Sequence, residues 1–249
     1  MSRNHNPTPC PTGFVRRLGW RLLAILWWSF LATLVGVGFR GVVNPSTTAF
    51  MQQRLLYLHA HGDAHTRLDY QWVDYGSIAP CMRLAVVASE DQTFPYNDGF
   101  DWLAIQEALQ HNRVSRYIRG ASTITQQTAK NLYLWAGRSY FRKALEAYFT
   151  VLLDTEWPKQ RILVMYLNTA QFDSSVFGVG AAARHLFDKS PAQLAPDEAA
   201  LLAAALPAPD RSDVVVPSDY LLRRQGWILD QMQQLGSGYL NGIEADTRR

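Results

Sequence analysis

RGASTITQQTAKNLYL, residues 119–134, is the stretch that decides the fold. It opens on small residues that suit a turn. Thr123, followed three positions later by Gln126, then fits a capping box, in which each side chain satisfies an amide of the first helical turn. A helix therefore starts at Thr123 and runs to about Leu134. Outward from it the same signals recur. Downstream, Ser139 caps a helix expected to bury Phe141, Leu145 and Leu152, and Pro158 fits the first turn of one carrying Ile162, Tyr166 and Leu167. Ser190-Pro191 with Gln193 repeats the start pattern, Pro207 ends the run from Glu198 to Leu206, and Ser218 to Leu235 reads as a last amphipathic helix stopped by Gly236. Upstream, Pro80 opens one helix and Asp101 caps another that places Trp102, Ile105 and Leu109 on one face. Strand signals are nearly absent, so the domain is predicted to be mainly α-helical.

Farther toward the N-terminus, Leu22 to Phe39 reads LLAILWWSFLATLVGVGF without a charge. As a helix it spans about 27 Å, enough to cross a bilayer. A cleavable signal peptide has a shorter apolar region and an A-x-A-like site, which is missing, so an uncleaved anchor is expected. Arg16, Arg17 and Arg21 precede the span and only Arg40 follows closely. The positive-inside rule then keeps residues 1–21 in the cytoplasm and puts everything after Phe39 outside. Residues 40–75, with the turn-like Asn44-Pro45-Ser46 and no strong periodicity, read as a stalk, and residues 76–249 as the folded domain.

The 249 residues are 48% hydrophobic and 18% charged, which suits one globular domain with a buried core. The formal charge of +3 is carried by Arg3, Arg16, Arg17 and Arg21 at the N-terminus, leaving about −1 for the rest. That excludes a nucleic-acid binder, which carries its basic excess on the folded domain. Cys10 and Cys81 lie on opposite sides of the predicted membrane span, so no internal disulfide is expected.

Three stretches hold candidate chemistry. In Ser89-Glu90-Asp91-Gln92-Thr93-Phe94, two adjacent acids follow an apolar run at a helix C-terminus, where the macrodipole disfavours them; such a local conflict fits a functional site. In residues 119–131, Gln126 and Lys130 share a helix face, and helix-start amides with a nearby cation suit an anion such as phosphate; a plain capped surface helix is the bland alternative. In residues 138–146, Arg142 and Glu146 sit four apart. By default that pair is a surface salt bridge, whereas a functional account has Arg138 and Lys130 converge on a diphosphate with Glu146 as a second carboxylate in the cleft. His59, His61, Asp63 and His65 have metal-like spacing but read as a solvated loop. Gly178-Val179-Gly180 is too short for a nucleotide fingerprint, and no G-x-S-x-G or Cys-x-x-Cys occurs.

Together these stretches resemble the monofunctional peptidoglycan glycosyltransferases, relatives of the glycosyltransferase domain of class A penicillin-binding proteins. The resemblance runs from about Pro80 to Pro209. It rests on Glu90-Asp91 with Phe94, Gly99 and Asp101; on Gly120 to Asn131; on Arg142-Lys143 with Glu146; on Tyr166-Leu167-Asn168 followed by Phe177-Gly178-Val179; and on Glu198 to Ala203. It implies a lysozyme-like helical fold with a membrane-hugging lobe, in the bacterial inner membrane with its catalytic domain periplasmic. The implied reaction polymerises lipid II into β-1,4 glycan strands with release of undecaprenyl pyrophosphate. By motif position Glu90 is the catalytic base and Glu146 the second carboxylate, Lys130 and Arg138 bind the pyrophosphate, and Ser122 and Gln126 lie near sugar or phosphate oxygens.

No cofactor is implied as required. A divalent cation such as Mg is compatible with a diphosphate, but the sequence contains no dedicated carboxylate cage for one. The implied partners are lipid II, the lipid-linked glycan chain, the membrane and other cell-wall synthesis proteins. The sequence departs from the family at Asn97, where histidine is usual, and at Gln171 and Asp173, where an acid and a glycine are common. Two rival readings remain at this point: a glycan-cleaving lysozyme-like or lytic enzyme, which gives Lys130 and Arg138 no task, and a catalytically idle scaffold for wall synthesis.

Overall fold

The computed structural model describes residues 12–62, 65–115, 119–137 and 139–245, with side chains from Arg16 onward. Among them are eleven α-helices and one two-stranded parallel pair. The expected mainly helical class with one N-terminal apolar helix is what is found.

Helix α1 (Thr12–Val42) is continuous through the expected anchor, and its stretch Arg16–Val42 is long and apolar enough to cross a membrane. Its N-terminal two-thirds exposes Trp20, Trp27, Trp28 and Phe30, whereas its last turns are docked. Val37 is buried and its carbonyl accepts from Trp157 Nε1 at 3.0 Å. Arg161 donates to the carbonyls of Arg40 (2.8 Å) and Val43 (3.1 Å) and to Asn44 Oδ1 (2.7 Å), placing a cation on the negative end of the helix dipole.

The segment read as a stalk is folded onto the domain. Within it lies α2 (Ala49–His61), capped by Thr48, whose Oγ1 accepts from Met51 N at 3.2 Å. Met51 is buried, and Arg54 donates to Ser174 O at 2.8 Å and Asp210 Oδ1 at 2.5 Å. The helix carries apolar residues on several sides, Phe50, Met51, Leu55, Leu56 and Leu58, so no stripe marks it in the sequence. Strand β1 (Asp69–Tyr70) pairs in parallel with β2 (Val176–Phe177), with Asp69 opposite Val176. Two-residue strands leave no alternation to read.

The core is built on three helices buried on all sides along most of their length, mostly by apolar residues, with Arg83, Asn168 and Thr169 among the buried positions. Met82 to Ala88 of α3 (Pro80–Glu90), Ile162 to Thr169 of α7 (Lys159–Thr169) and Ala199 to Ala205 of α9 (Pro196–Ala205) are buried without interruption. Around them lie α4 (Trp102–Val114), α5 (Ile124–Tyr133), α6 (Tyr140–Glu156), α8 (Gly178–Phe187), α10 (Asp219–Leu235) and the short α11 (Asn241–Ala245). The expected stripe on α4 exists but faces outward: Trp102 is 68% exposed and Leu109 57%. Phe141, expected in the core, is also 67% exposed, because the inward face of α6 presents Glu146 and Thr150 instead. Gly178 has φ +80°, and a Cβ there would lie 2.7 Å from Asn168 O, so this turn admits only glycine.

Candidate active site

The end of α3 meets the start of α5. The predicted capping box is present: Thr123 Oγ1 accepts from Gln126 N at 3.2 Å, and Gln126 Oε1 accepts from Thr123 N at 3.0 Å. This helix start holds Asp91. Ile124 N donates to Asp91 Oδ2 at 3.1 Å, and Asn97 Nδ2 donates to both carboxylate oxygens at 3.0 and 3.1 Å. The two acids that oppose the dipole of α3 are thereby separated in role, since Asp91 reaches the positive end of α5 instead. Burial still raises the Asp91 pKa, against the opposing pull of these donors and of Lys159.

Glu90 is half-buried and is held from α5. Gln127 Nε2 donates to Glu90 Oε2 at 2.8 Å, while Gln127 Oε1 accepts from the buried Tyr166 hydroxyl at 3.2 Å. Desolvation pushes the Glu90 carboxyl above its ordinary range; the Gln127 bond, Arg224 and Lys130 pull it down, and Asp91 pushes it up. A carboxyl so poised accepts a proton near neutral pH more readily than an exposed one. Glu90 lines a cleft of about 580 Å³ with Ser122, Arg119, Arg224 and Trp227. Ser122 is exposed there and accepts from Lys143 Nζ at 3.3 Å.

Lys130 lies about one turn beyond Gln127. Its Nζ is 5.6 Å from the centre of the Phe50 ring and, among the described residues, makes no hydrogen bond or ion pair. Burial lowers its pKa; Glu146 and Glu90 act against that, while Arg142 and Lys143 add to it. Lys130 lines a second cleft of about 460 Å³ with Gln127, Tyr166, Gln171 and Arg211. Gln127 therefore touches both sides of the site, one through the Glu90 carboxylate and one through the lining of the Lys130 cleft.

The Arg142–Glu146 pair is not a surface bridge. Glu146 is 3% exposed; Arg142 Nη1 donates to its Oε2 at 3.0 Å, and Lys143 Nζ binds its Oε1. Both carboxylate oxygens are thus occupied by cations of the same helix. Gln126 is buried in the capping box and lines neither cleft. Arg138 lies outside the described residues, as do Asp63 and Cys10.

The departures from the family pattern are bonded in place. Asn97 Oδ1 accepts from Gly99 N at 3.1 Å and Lys159 Nζ at 3.0 Å; Gln171 Nε2 donates to Asp210 Oδ1 at 3.1 Å; and Asp173 Oδ1 accepts from Ser174 N at 2.6 Å. Gln127 and Arg224 went unremarked in the sequence. Gln127 adjoins the cap glutamine and has the same residue type, and Arg224 sits on a helix whose pattern reads as ordinary.

A half-buried carboxyl held from α5, the helix that also presents a lysine unpaired among the described residues, on a mainly helical scaffold is compatible with an enzyme of glycosyl transfer. Comparison with known proteins gives the particular family. The chain belongs to the transglycosylase family, whose model matches residues 59–233. Biosynthetic peptidoglycan transglycosylases are similar along nearly the whole chain. The one from Pasteurella multocida is 46% identical over 98% of this chain and 99% of its own length. Those from Xanthomonas axonopodis pv. citri and Pseudomonas fluorescens are 47% and 45% identical, over 89% and 94% of this chain and 89% and 98% of their own lengths.

Proposed function

We propose that this enzyme builds the glycan strands of bacterial peptidoglycan by polymerising lipid II, with Glu90 as the general base. In this reading the growing chain is the donor and lipid II the acceptor. Glu90 takes the proton from the acceptor's 4-hydroxyl, whose oxygen forms the new bond to the donor's anomeric carbon. The bond to undecaprenyl pyrophosphate breaks as the centre inverts from α to β. One observation carries the reading: Gln127 holds the Glu90 carboxylate at 2.8 Å from the same helix that presents the unpaired Lys130.

Negative charge grows on the leaving diphosphate in the transition state. A cation fixed beforehand in a partly desolvated cleft therefore contributes more there than in the ground state. We assign that task to Lys130 with Arg138, and contact with sugar or phosphate oxygens to Ser122. With both oxygens bound by Arg142 and Lys143, Glu146 acts in this account as the counter-charge that positions them. Gln126 serves the helix start.

The exposed Trp102, Leu103, Leu109 and Phe141 supply an apolar surface for a bilayer, which a substrate with a lipid tail requires. Arg16, Arg17 and Arg21, in the first turns of α1, support a cytoplasmic N-terminus and with it a periplasmic domain. The diphosphate role is tested by Lys130→Ala and Lys130→Arg on labelled lipid II in detergent. Alanine is expected to lower kcat/KM by at least about 100-fold, the scale of one lost transition-state contact, and arginine to recover part of it. A wild-type rate from Lys130→Ala would overturn the assignment.

A further inference from the structure

Arg224 lies on α10, outside the stretch that carries the family motifs, and reaches back to the end of α3. Its Nη2 donates to the carbonyl of Ser89, the residue before Glu90, at 3.2 Å. Its guanidinium lies over the Trp227 ring, 4.5 Å from the centre. Among the described residues no carboxylate pairs with it, and its other N–H groups make no hydrogen bond. The last turn of α3 contains no basic residue of its own, so α10 supplies the cation that this helix C-terminus and the adjacent carboxylate both favour. Arg224, Trp227 and Glu90 line one cleft.

We propose that Arg224 is a positioning residue for the transfer reaction, pinning the end of α3 and supplying a permanent positive charge that favours the carboxylate form of Glu90. The proposal rests on Glu90 being the base. The other groups facing Glu90 are Asp91 on its own element, Gln127 and Lys130 on α5, and Tyr166 on α7, while Arg119 and Asp101 line the same cleft. Gln127 and Tyr166 are neutral, Asp91 acts in the opposite sense, and Lys130 is itself desolvated. A guanidinium, by contrast, stays charged at every pH of interest. Arg119 is paired with Glu107, so of the two cations that act on Glu90, Arg224 and Lys130, Arg224 is the one whose charge does not change across the working range.

The test is the pH dependence of kcat for full-length protein on labelled lipid II, comparing wild type, Arg224→Gln, Arg224→Lys and Glu90→Gln. Losing the charge makes Glu90 easier to protonate. The acidic limb of Arg224→Gln is therefore expected to move to higher pH by about half a unit or more, a loss of about threefold on the limb, with the rate recovering toward wild type on the alkaline plateau. Arg224→Lys should keep the limb in place. A limb that stays put in Arg224→Gln, with the rate reduced equally at every pH, would overturn the proposal. An active Glu90→Gln would sink the base assignment itself, whereas an inactive one with an unmoved limb sinks only the role of Arg224. Should Arg224→Gln not fold, Trp227→Leu releases the guanidinium from its ring, and an unmoved limb there counts equally against the idea.

Discussion

Glu90 answers opposing demands, since burial that makes it a better base also makes its charge costly to the folded state. Its raised pKa means that stability is gained as it protonates: the benefit is full below the unfolded-state value and lost as pH rises through the folded one. Glu90→Gln keeps an oxygen for Gln127 and removes the buried charge, so it should raise the melting temperature at pH 8, with the gain shrinking as pH falls through the pKa of Glu90. A variant less stable than wild type at pH 8 would contradict this. Glu90 stood out as a candidate because two acids at a helix end violate the dipole rule, while its role as base was implied by the family resemblance. Gln127 was not, because its importance depends on the packing of α5 against α3 and α7, which spacing along one helix does not reveal. The bond from Ile124 N to the Asp91 carboxylate, between residues far apart in sequence, was concealed in the same way.

Helix α6 was read correctly as a helix and incorrectly in its facing. Periodicity marked Phe141 as a core residue, yet the buried positions include Glu146, whose charge is tolerated only because Arg142 and Lys143 pair with it. Arg142→Ala would leave that buried carboxylate with one partly exposed lysine. It should destabilise the domain by about 3 kcal/mol in a denaturant titration, the scale of a broken buried pair. A change within a few tenths of that from an exposed arginine such as Arg223 would refute the pairing's importance. Helices α1 and α2 show the other limit of sequence reading. The anchor's length and polarity were clear, but its docking depends on Gly41, where a Cβ would come within 2.9 Å of Trp157 Nε1, and on the Arg161 cap. Gly41→Leu or Arg161→Ala should speed hydrogen exchange at residues 40–44 while leaving the core amides of α7 unchanged. Equal exchange in variant and wild type would mean that the anchor is not held there.

Across the whole molecule, apolar side chains are distributed according to two solvents. The helices α3, α7 and α9 were legible from their start and stop signals and α1 as membrane-spanning from its length, whereas the burial of α3, α7 and α9 on all sides emerges only from the packing. The apolar face of α4 was visible as a stripe, but a stripe does not say whether protein or lipid covers it. In the folded chain Trp102, Leu103 and Phe141 remain outside. Protein lacking residues 1–43 should therefore still float with phospholipid vesicles, and replacing those three residues by serine should release it; flotation unaffected by the triple change would contradict a lipid-facing lobe. In the proposed reading, what joins this surface, the anchor and the two clefts is the transfer of sugars between lipid-linked molecules. The most direct measurement is polymer formation from labelled lipid II by wild type and Glu90→Gln in parallel. The account predicts glycan polymer from the wild type and at least about 100-fold less from the variant, the usual scale of a lost general base. No polymer from the wild type, or undiminished polymer from Glu90→Gln, would contradict it.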